Sequence, residues 1–260
     1  LFGHTNGLVY ANGRDRAVTW MNSTAWGRPI IPRSGYIVEF NALYYNAKKF
    51  YQQLLVDSAR TDHLVTAERI EAECRQFEES FRSTFVNHCG YLFDYVDGGN
   101  ADWSVRPNQL LAIALDFSPL TLRERKAVLD ICTRELKTPK GIRSLSPKSQ
   151  GYTPYYVGRQ EDRDRAYHQG TAWPWLTGFY LEAYLRVYRM SGVNYIERQL
   201  IGFEEELFYH CVGTIPELFD GNPPFSGRGA ISFAMNVSSL LRAFRQLEKH
   251  RLEEEAAERD

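Results

Sequence analysis

Tyr167-His168-Gln169-Gly170-Thr171-Ala172-Trp173-Pro174-Trp175 stands where a long polar loop gives way to helical spacing. Beyond it, Leu176, Tyr180, Ala183, Tyr184 and Val187 recur as one face of an α-helix does. Pro174 suits a first helical turn, where a missing N–H costs nothing. Gly170 permits a tight backbone approach. The stretch therefore brings His168, Gln169, Trp173 and Trp175 to one helix mouth. Two readings stay open. Such a mouth stacks a ring with apolar C–H faces and hydrogen-bonds its hydroxyls, or it is a capped helix with an aromatic plug.

The same periodicity recurs on both sides. Phe40, Leu43, Tyr44, Ala47, Tyr51, Leu54 and Leu55 lie on one face of a helix starting near Val38. Ile70, Cys74, Phe77, Phe81 and Phe85 mark a second. Ser104 is an N-cap candidate for a third, with Pro107 in its first turn. Thr121-x-x-Glu124 is a capping-box pattern opening a fourth, to about Leu136. The run after Trp175 is the fifth, Asn194 to Cys211 the sixth, and Ala230, Phe233, Ala234, Val237, Leu241 and Phe244 mark the seventh. Residues 249–260 are almost wholly charged and read as a solvated helix end. Loops at 138–167 and 213–229 carry the irregular sequence, and loops of the first length inside compact domains are usually functional. A short extended piece, Tyr91 to Val96, ends in the turn signal Asp97-Gly98-Gly99-Asn100. With no linker or composition break, residues 1–260 read as a single all-α domain.

Composition narrows the function classes. Lys and Arg number 31 against 32 Asp and Glu, a net charge of -1, so no basic field attracts nucleic acid. No apolar run approaches the ~18 residues of a membrane span. The four cysteines (Cys74, Cys89, Cys132, Cys211) are widely spaced and read as buried thiols of a reducing compartment. No His/Cys spacing makes a zinc set, so no metal is expected. Gly227-x-Gly229 lacks the context of a phosphate loop, and no Gly-x-Ser-x-Gly elbow is present.

Two remote stretches place a polar or acidic group among apolar and aromatic neighbours: Thr19-Trp20-Met21-Asn22 and Thr214-Ile215-Pro216-Glu217-Leu218-Phe219-Asp220-Gly221. A glycoside-cleaving site is built with one carboxyl group on each side of the bond. Glu217 follows a proline and precedes apolar residues, which favours partial desolvation; a surface-loop glutamate is the alternative. Glu39 opens the first helix, either for a ligand hydroxyl, for an arginine, or for the helix dipole. Arg106, in Asp102-Trp103-Ser104-Val105-Arg106-Pro107-Asn108-Gln109, is a hydroxyl donor or the structural partner of a carboxylate.

Taken together, these segments resemble the amylo-α-1,6-glucosidase domain of glycogen debranching enzymes. The matching stretches are Thr19 to Asn22, Pro32-Arg33-Ser34-Gly35 with Val38 to Ala47, and Ser104 to Gln109. Arg143-Ser144-Leu145-Ser146-Pro147, Tyr167 to Trp175, Glu217 with Asp220-Gly221-Asn222-Pro223-Pro224, and Gly229-Ala230-Ile231-Ser232 complete the set, in family order. The resemblance implies an (α/α)6 barrel glycosidase, here a partial barrel of about seven helices and the C-terminal part of the domain. It implies hydrolysis, with inversion, of the α-1,6-linked glucose at a glycogen branch, and no cofactor. Glu217 matches the general base; Trp20, Glu39, Arg106, His168, Gln169 and Trp173 match positions of the glucose subsite.

One position departs from the family pattern. The general-acid aspartate ending Thr-Trp-Met-Asp is Asn22 here, and an amide donates no proton to a leaving oxygen. Three functions are therefore weighed: a debranching glucosidase of glycogen or branched α-glucan, a catalytically impaired glycan-binding relative, and a structural helical module. The chain opens Leu1-Phe2-Gly3-His4 without an initiator Met: either a further N-terminal portion of the same protein completes the barrel, or the chain stands alone as an open crescent. The substrate class implies glycogen catabolism in the cytoplasm.

Overall fold

The computed structural model describes residues 1–210 and 212–257. Cys211, and the end of the charged tail at 258–260, lie outside the described residues. Two compact units, Leu1–Val128 and Leu129–Asp260, divide the chain.

The first unit sets two long helices against a small antiparallel sheet. Its strands are β1 (Phe2–Gly3), β2 (Val9–Ala11), β5 (Gly35–Ile37), β6 (Tyr95–Asp97) and β7 (Asn100–Ala101), in the order β1-β2-β5-β6-β7. A separate hairpin joins β3 (Thr24–Ala25) to β4 (Arg28–Pro29). The extended piece expected before Asp97-Gly98-Gly99-Asn100 is the β6–β7 hairpin. Strand β5 runs directly into α1 (Val38–Asp57), whose N-cap, Ile37, has no capping side chain. Asn41 takes over: its amide donates to the Ile37 carbonyl at 3.0 Å and pairs with both backbone groups of Val9 at 2.8 and 3.0 Å. A fully buried amide is stable only when so satisfied.

The buried face of α1 is not the stripe its periodicity picks out. Val38, Asn41, Ala42 and Tyr45 face inward, while Leu43, Tyr44, Tyr51 and Leu54 are exposed. The reason is α2 (Thr61–Phe85), whose stripe Ile70, Cys74, Phe77, Phe81 and Phe85 is buried as expected. Tyr45 stacks on Phe77 at 5.3 Å between ring centroids, fixing which side of α1 meets α2. The third helix also departs from expectation. Asp102 accepts from the Ser104 N–H at 2.9 Å, so Ser104 sits in a turn. The helical segment starts at Pro107 as a 3-10 turn and continues only through α3 (Leu111–Ala114). Helix α4 (Leu122–Leu136) opens on the expected capping box, with the Thr121 N–H bonded to Glu124 at 2.7 Å and the Glu124 N–H to Thr121 at 3.3 Å.

In the second unit the long loop proves to be structured. It contains β8 (Lys137–Thr138), β9 (Gly141–Arg143) and the short helix α5 (Gln160–Ala166). Strands β8 and β9 join β10 (Ala172–Trp173), β11 (Leu218–Phe219) and β12 (Gly227–Arg228) in a sheet ordered β12-β11-β10-β9-β8. Ala172 pairs with both Arg143 and Phe219, so three distant stretches meet on one backbone ladder. Helix α6 (Pro174–Tyr188) follows β10 without a break, with Pro174 in its first turn and Leu176, Tyr180 and Ala183 buried. The expected sixth helix is broken into α7 (Val193–Ile201) and α8 (Glu206–Tyr209). Gly202 sits at the break, where glycine is ~1 kcal/mol poorer than alanine in a helix, and Phe203 turns into the core beside Ile215 and Phe219.

Helix α9 (Ala234–Ala257) starts later than the apolar pattern, and buries Leu240, Ala243 and Leu247 rather than Val237, Leu241 and Phe244. It packs on α6 at close range. Ser239 donates to the Trp175 carbonyl at 2.6 Å, and a Cβ on Gly178 would sit 2.7 Å from the Ser239 carbonyl oxygen. No helix among the described residues is long and apolar enough to cross a membrane. Gly178→Ala is therefore expected to force α6 and α9 apart and to lower stability by ~1–3 kcal/mol, read as a fall in denaturation midpoint without loss of helical signal.

Candidate active site

Asn22 lies in the first unit and Glu217 in the second, and each is placed by its own local structure. In the first unit, the Thr19-Trp20-Met21-Asn22 stretch is a tight turn. The Asn22 N–H bonds to the Trp20 carbonyl at 3.0 Å, and the Met21 N–H to Thr19 Oγ1 at 3.2 Å. Met21 is buried, its sulfur 3.7 Å from the Asn108 amide nitrogen and 3.9 Å from Arg106. The Trp20 indole donates to Asn108 Oδ1 at 2.6 Å. With Met21 inserted and Trp20 pinned, Asn22 is left exposed at the surface.

Beneath this turn lies a charged cluster. Arg33 donates to both oxygens of Glu39, one at 2.6 Å, and its Nε donates to Asp94 at 2.6 Å. Arg106 approaches Asp94 at 4.0 Å, and Asn108 donates to the other Asp94 oxygen at 2.7 Å. All five side chains are buried. Two arginines balance two carboxylates, which is what makes such burial tolerable. Burial works against the Arg33 charge, but Asp94 and Glu39 outweigh it and hold its pKa above the ordinary arginine value. Burial lowers that of Arg106, against the pull of Asp94. Of the alternatives for Glu39, the structure places it on an arginine; of those for Arg106, it places it by a carboxylate. The sequence assigns no role to Arg33 or Asp94, because nothing local tells a buried charge from an exposed one.

The second unit builds its half around Glu217, which is half-buried and immediately precedes β11. Tyr167 donates its hydroxyl to Glu217 Oε1, and the Ala230 N–H donates to Oε2 at 2.8 Å. The Glu217 backbone pairs with Ala230 as well, its N–H bonded to that carbonyl at 2.9 Å. Asn236, with no exposed surface, donates to the carbonyls of Pro216 and Glu217 at 2.6 and 2.9 Å, and accepts from the Trp175 N–H at 2.9 Å. One amide thus ties the start of α6 to the residue before β11.

Around Tyr167 the aromatic mouth closes. His168 and Trp173 stack at 5.5 Å with an interplanar angle of 11°, and Tyr167 meets each edge-on, at 4.5 and 4.9 Å. His168 and Trp173 are buried, whereas Tyr167 and Gln169 are half-buried. The Gln169 carbonyl accepts from the Thr153 N–H at 2.6 Å. The Trp173 indole donates to Thr171 Oγ1 at 3.0 Å and the Tyr167 carbonyl at 3.2 Å. Part of the stretch is therefore the aromatic plug, and part is accessible. Burial, and then Glu217, raise the phenol pKa values of Tyr167 and Tyr156, so both stay neutral donors across the physiological range.

A cavity of about 370 Å³ lies against Tyr156, Arg163, Arg228 and Gly229, within the ~300–1,000 Å³ span of small-molecule sites. Asp220, nearly inaccessible, accepts from Arg228 at 2.9 and 3.0 Å and from the Tyr156 N–H at 2.8 Å, fixing two walls at once. Among the described residues no cluster of three or more His, Cys, Asp or Glu could hold a metal ion. Tyr156, Arg228 and the Ala230 N–H escaped the sequence reading; only the Gly229-Ala230-Ile231-Ser232 motif pointed near them.

Solved structures show the class. Neutral trehalase from Saccharomyces cerevisiae superposes with a TM-score of 0.60 at 15% identity, over 88% of this chain and 42% of that one. The mannosylglycerate hydrolase from Thermus thermophilus, solved with Tris and D-glycerate, gives 0.54 at 16% identity, over 83% and 47%. The fold is that of the (α/α)6-barrel glycosidases, as expected. Family follows from sequence: the amylo-alpha-1,6-glucosidase family profile matches residues 2–242, and the chain belongs to that family. The glycogen debranching enzyme of Saccharomyces cerevisiae is 26% identical over 224 residues, 69% of this chain and 14% of that protein. The chain thus spans only a small share of that relative's length.

Arg33→Met leaves Glu39 and Asp94 buried without their cation, and is expected to destabilise the first unit by ~3–5 kcal/mol. Chemical denaturation with Trp20 fluorescence as the local reporter measures this.

Proposed function

We propose that this chain is the catalytic part of a glycoside hydrolase that removes the α-1,6-linked glucose at a branch of glycogen or a related α-glucan, with inversion. The reading rests most on one observation: Glu217 is half-buried, with one oxygen held by a phenol and the other by a backbone N–H, beside a polar cavity. Family membership and the glycosidase fold support it. Both units belong, in this reading, to a single catalytic domain. On this view Trp20, Glu39, Arg106, His168, Gln169 and Trp173 contribute to the glucose subsite. A cytoplasmic location goes with such a substrate.

In the proposed reaction, Glu217 takes a proton from water. The water oxygen bonds to the anomeric carbon as the glycosidic C–O bond breaks on the opposite face. The departing oxygen must then gain a proton from an acid ~6.5–9.5 Å from the base. Asn22 occupies the family's acid position, and an amide has no such proton to give. General acid catalysis is worth ~10²–10⁴-fold, so cleavage of a sugar leaving group is slow while binding and base function persist. That same residue favours the second reading, a glycan-binding relative without turnover.

Two substrates separate these readings. α-Glucosyl fluoride leaves without much protonation and reports on the base; a branched limit dextrin reports on the acid. Wild type is expected to hydrolyse the fluoride, and Glu217→Gln to lose that activity by ~10²-fold or more. Asn22→Asp is expected to raise glucose release from the dextrin by ~10²-fold or more. Fluoride turnover that survives Glu217→Gln would sink the enzyme reading. Ligand-induced stabilisation with no glucose released by either protein would establish the binding relative instead.

A further inference from the structure

The geometry points to Tyr167 as the positioning residue for the proposed base: with the Ala230 N–H, it fixes the rotamer of Glu217. This inference rests on the glycosidase reading and adds a component to it. Its basis is a clamp with no slack. Each Glu217 oxygen has its own donor, one from the loop before β10 and one from the chain after β12. The two donors come from segments far apart in sequence, so the carboxylate cannot rotate without losing one of them. Each oxygen keeps a further lone pair, which leaves room for a water to be activated.

The clamp is itself held. Tyr167 sits edge-on against both His168 and Trp173, which stack on each other, and tilts against Tyr156 at 5.5 Å. Its hydroxyl therefore has one direction in which to point. On the other side Gly229 adopts φ +73°, and any Cβ there would overlap Glu217 Oε2 and come within 3.0 Å of Glu217 Cβ. Glycine at this position is what lets the Ala230 N–H reach the carboxylate. Tyr167 thus keeps Glu217 aimed, as a base must be before water arrives.

Two measurements decide the matter. With 13Cζ-labelled tyrosine, the Tyr167 signal is expected to ionise at lower pH in Glu217→Gln than in wild type; an unchanged titration overturns the inference. On α-glucosyl fluoride, Tyr167→Phe is expected to cut kcat by about tenfold while KM moves by less than about twofold. Gly229→Ala is expected to cost roughly 10²-fold in kcat with circular dichroism unchanged. A loss confined to KM, or a Tyr167→Phe kcat that matches wild type, also overturns the inference. A wild type inert on the fluoride fails the glycosidase reading, and the titration then decides alone whether Tyr167 holds Glu217.

Discussion

A polar side chain taken out of water must find its partners inside the protein, and each unit places its candidate residues under that constraint. In the second unit Asn236 is fully buried and spends its amide on Trp175, Pro216 and Glu217. Helix α6, the lead into β11 and helix α9 are registered against one another by those bonds. In the first unit Arg33 does the equivalent through Glu39 and Asp94, linking the start of α1 to the strand entering β6. Such bonds are directional, whereas apolar burial is not. They position the site to a fraction of an ångström, while the surrounding phenylalanines and leucines supply the bulk of the burial.

The chemistry follows from which carboxylates are committed. Glu39 and Asp94 are locked to arginine and lie in a nearly neutral, closed cluster. Among the described residues Glu217 is held by two neutral donors and is half-exposed. A carboxylate whose oxygens are committed to a buried guanidinium has no face left for water, whereas one held by a phenol and a backbone amide keeps a lone pair on each oxygen. That contrast singles out Glu217 among the candidates, and makes the amide at Asn22 the decisive departure of this chain from its family.

The long helices were legible where local signals agree. The capping box at Thr121 and Glu124, the stripe from Ile70 to Phe85, and the proline-led start of α6 all appear as expected. The faces of α1 and α9 were not, because both carry apolar residues on more than one side and only the neighbouring helix selects between them. Ser104 reads as a cap because the competing turn with Asp102 looks the same in sequence. The short strands β8 to β12 escaped notice altogether, since two- or three-residue strands have no periodicity to display.

From residue order alone came the helical class, the motifs of the family, Glu217 as a candidate and the amide at position 22. Each is a property of residue type or of short-range spacing, and survives in any fold that the chain adopts. Tertiary structure alone decided that Glu39 belongs to Arg33, that Tyr167 and Ala230 grip Glu217, and that Gly229 has no room for a side chain. Those pairings join residues up to tens of positions apart, and a hydrogen bond depends on distance and angle in space rather than on separation along the chain.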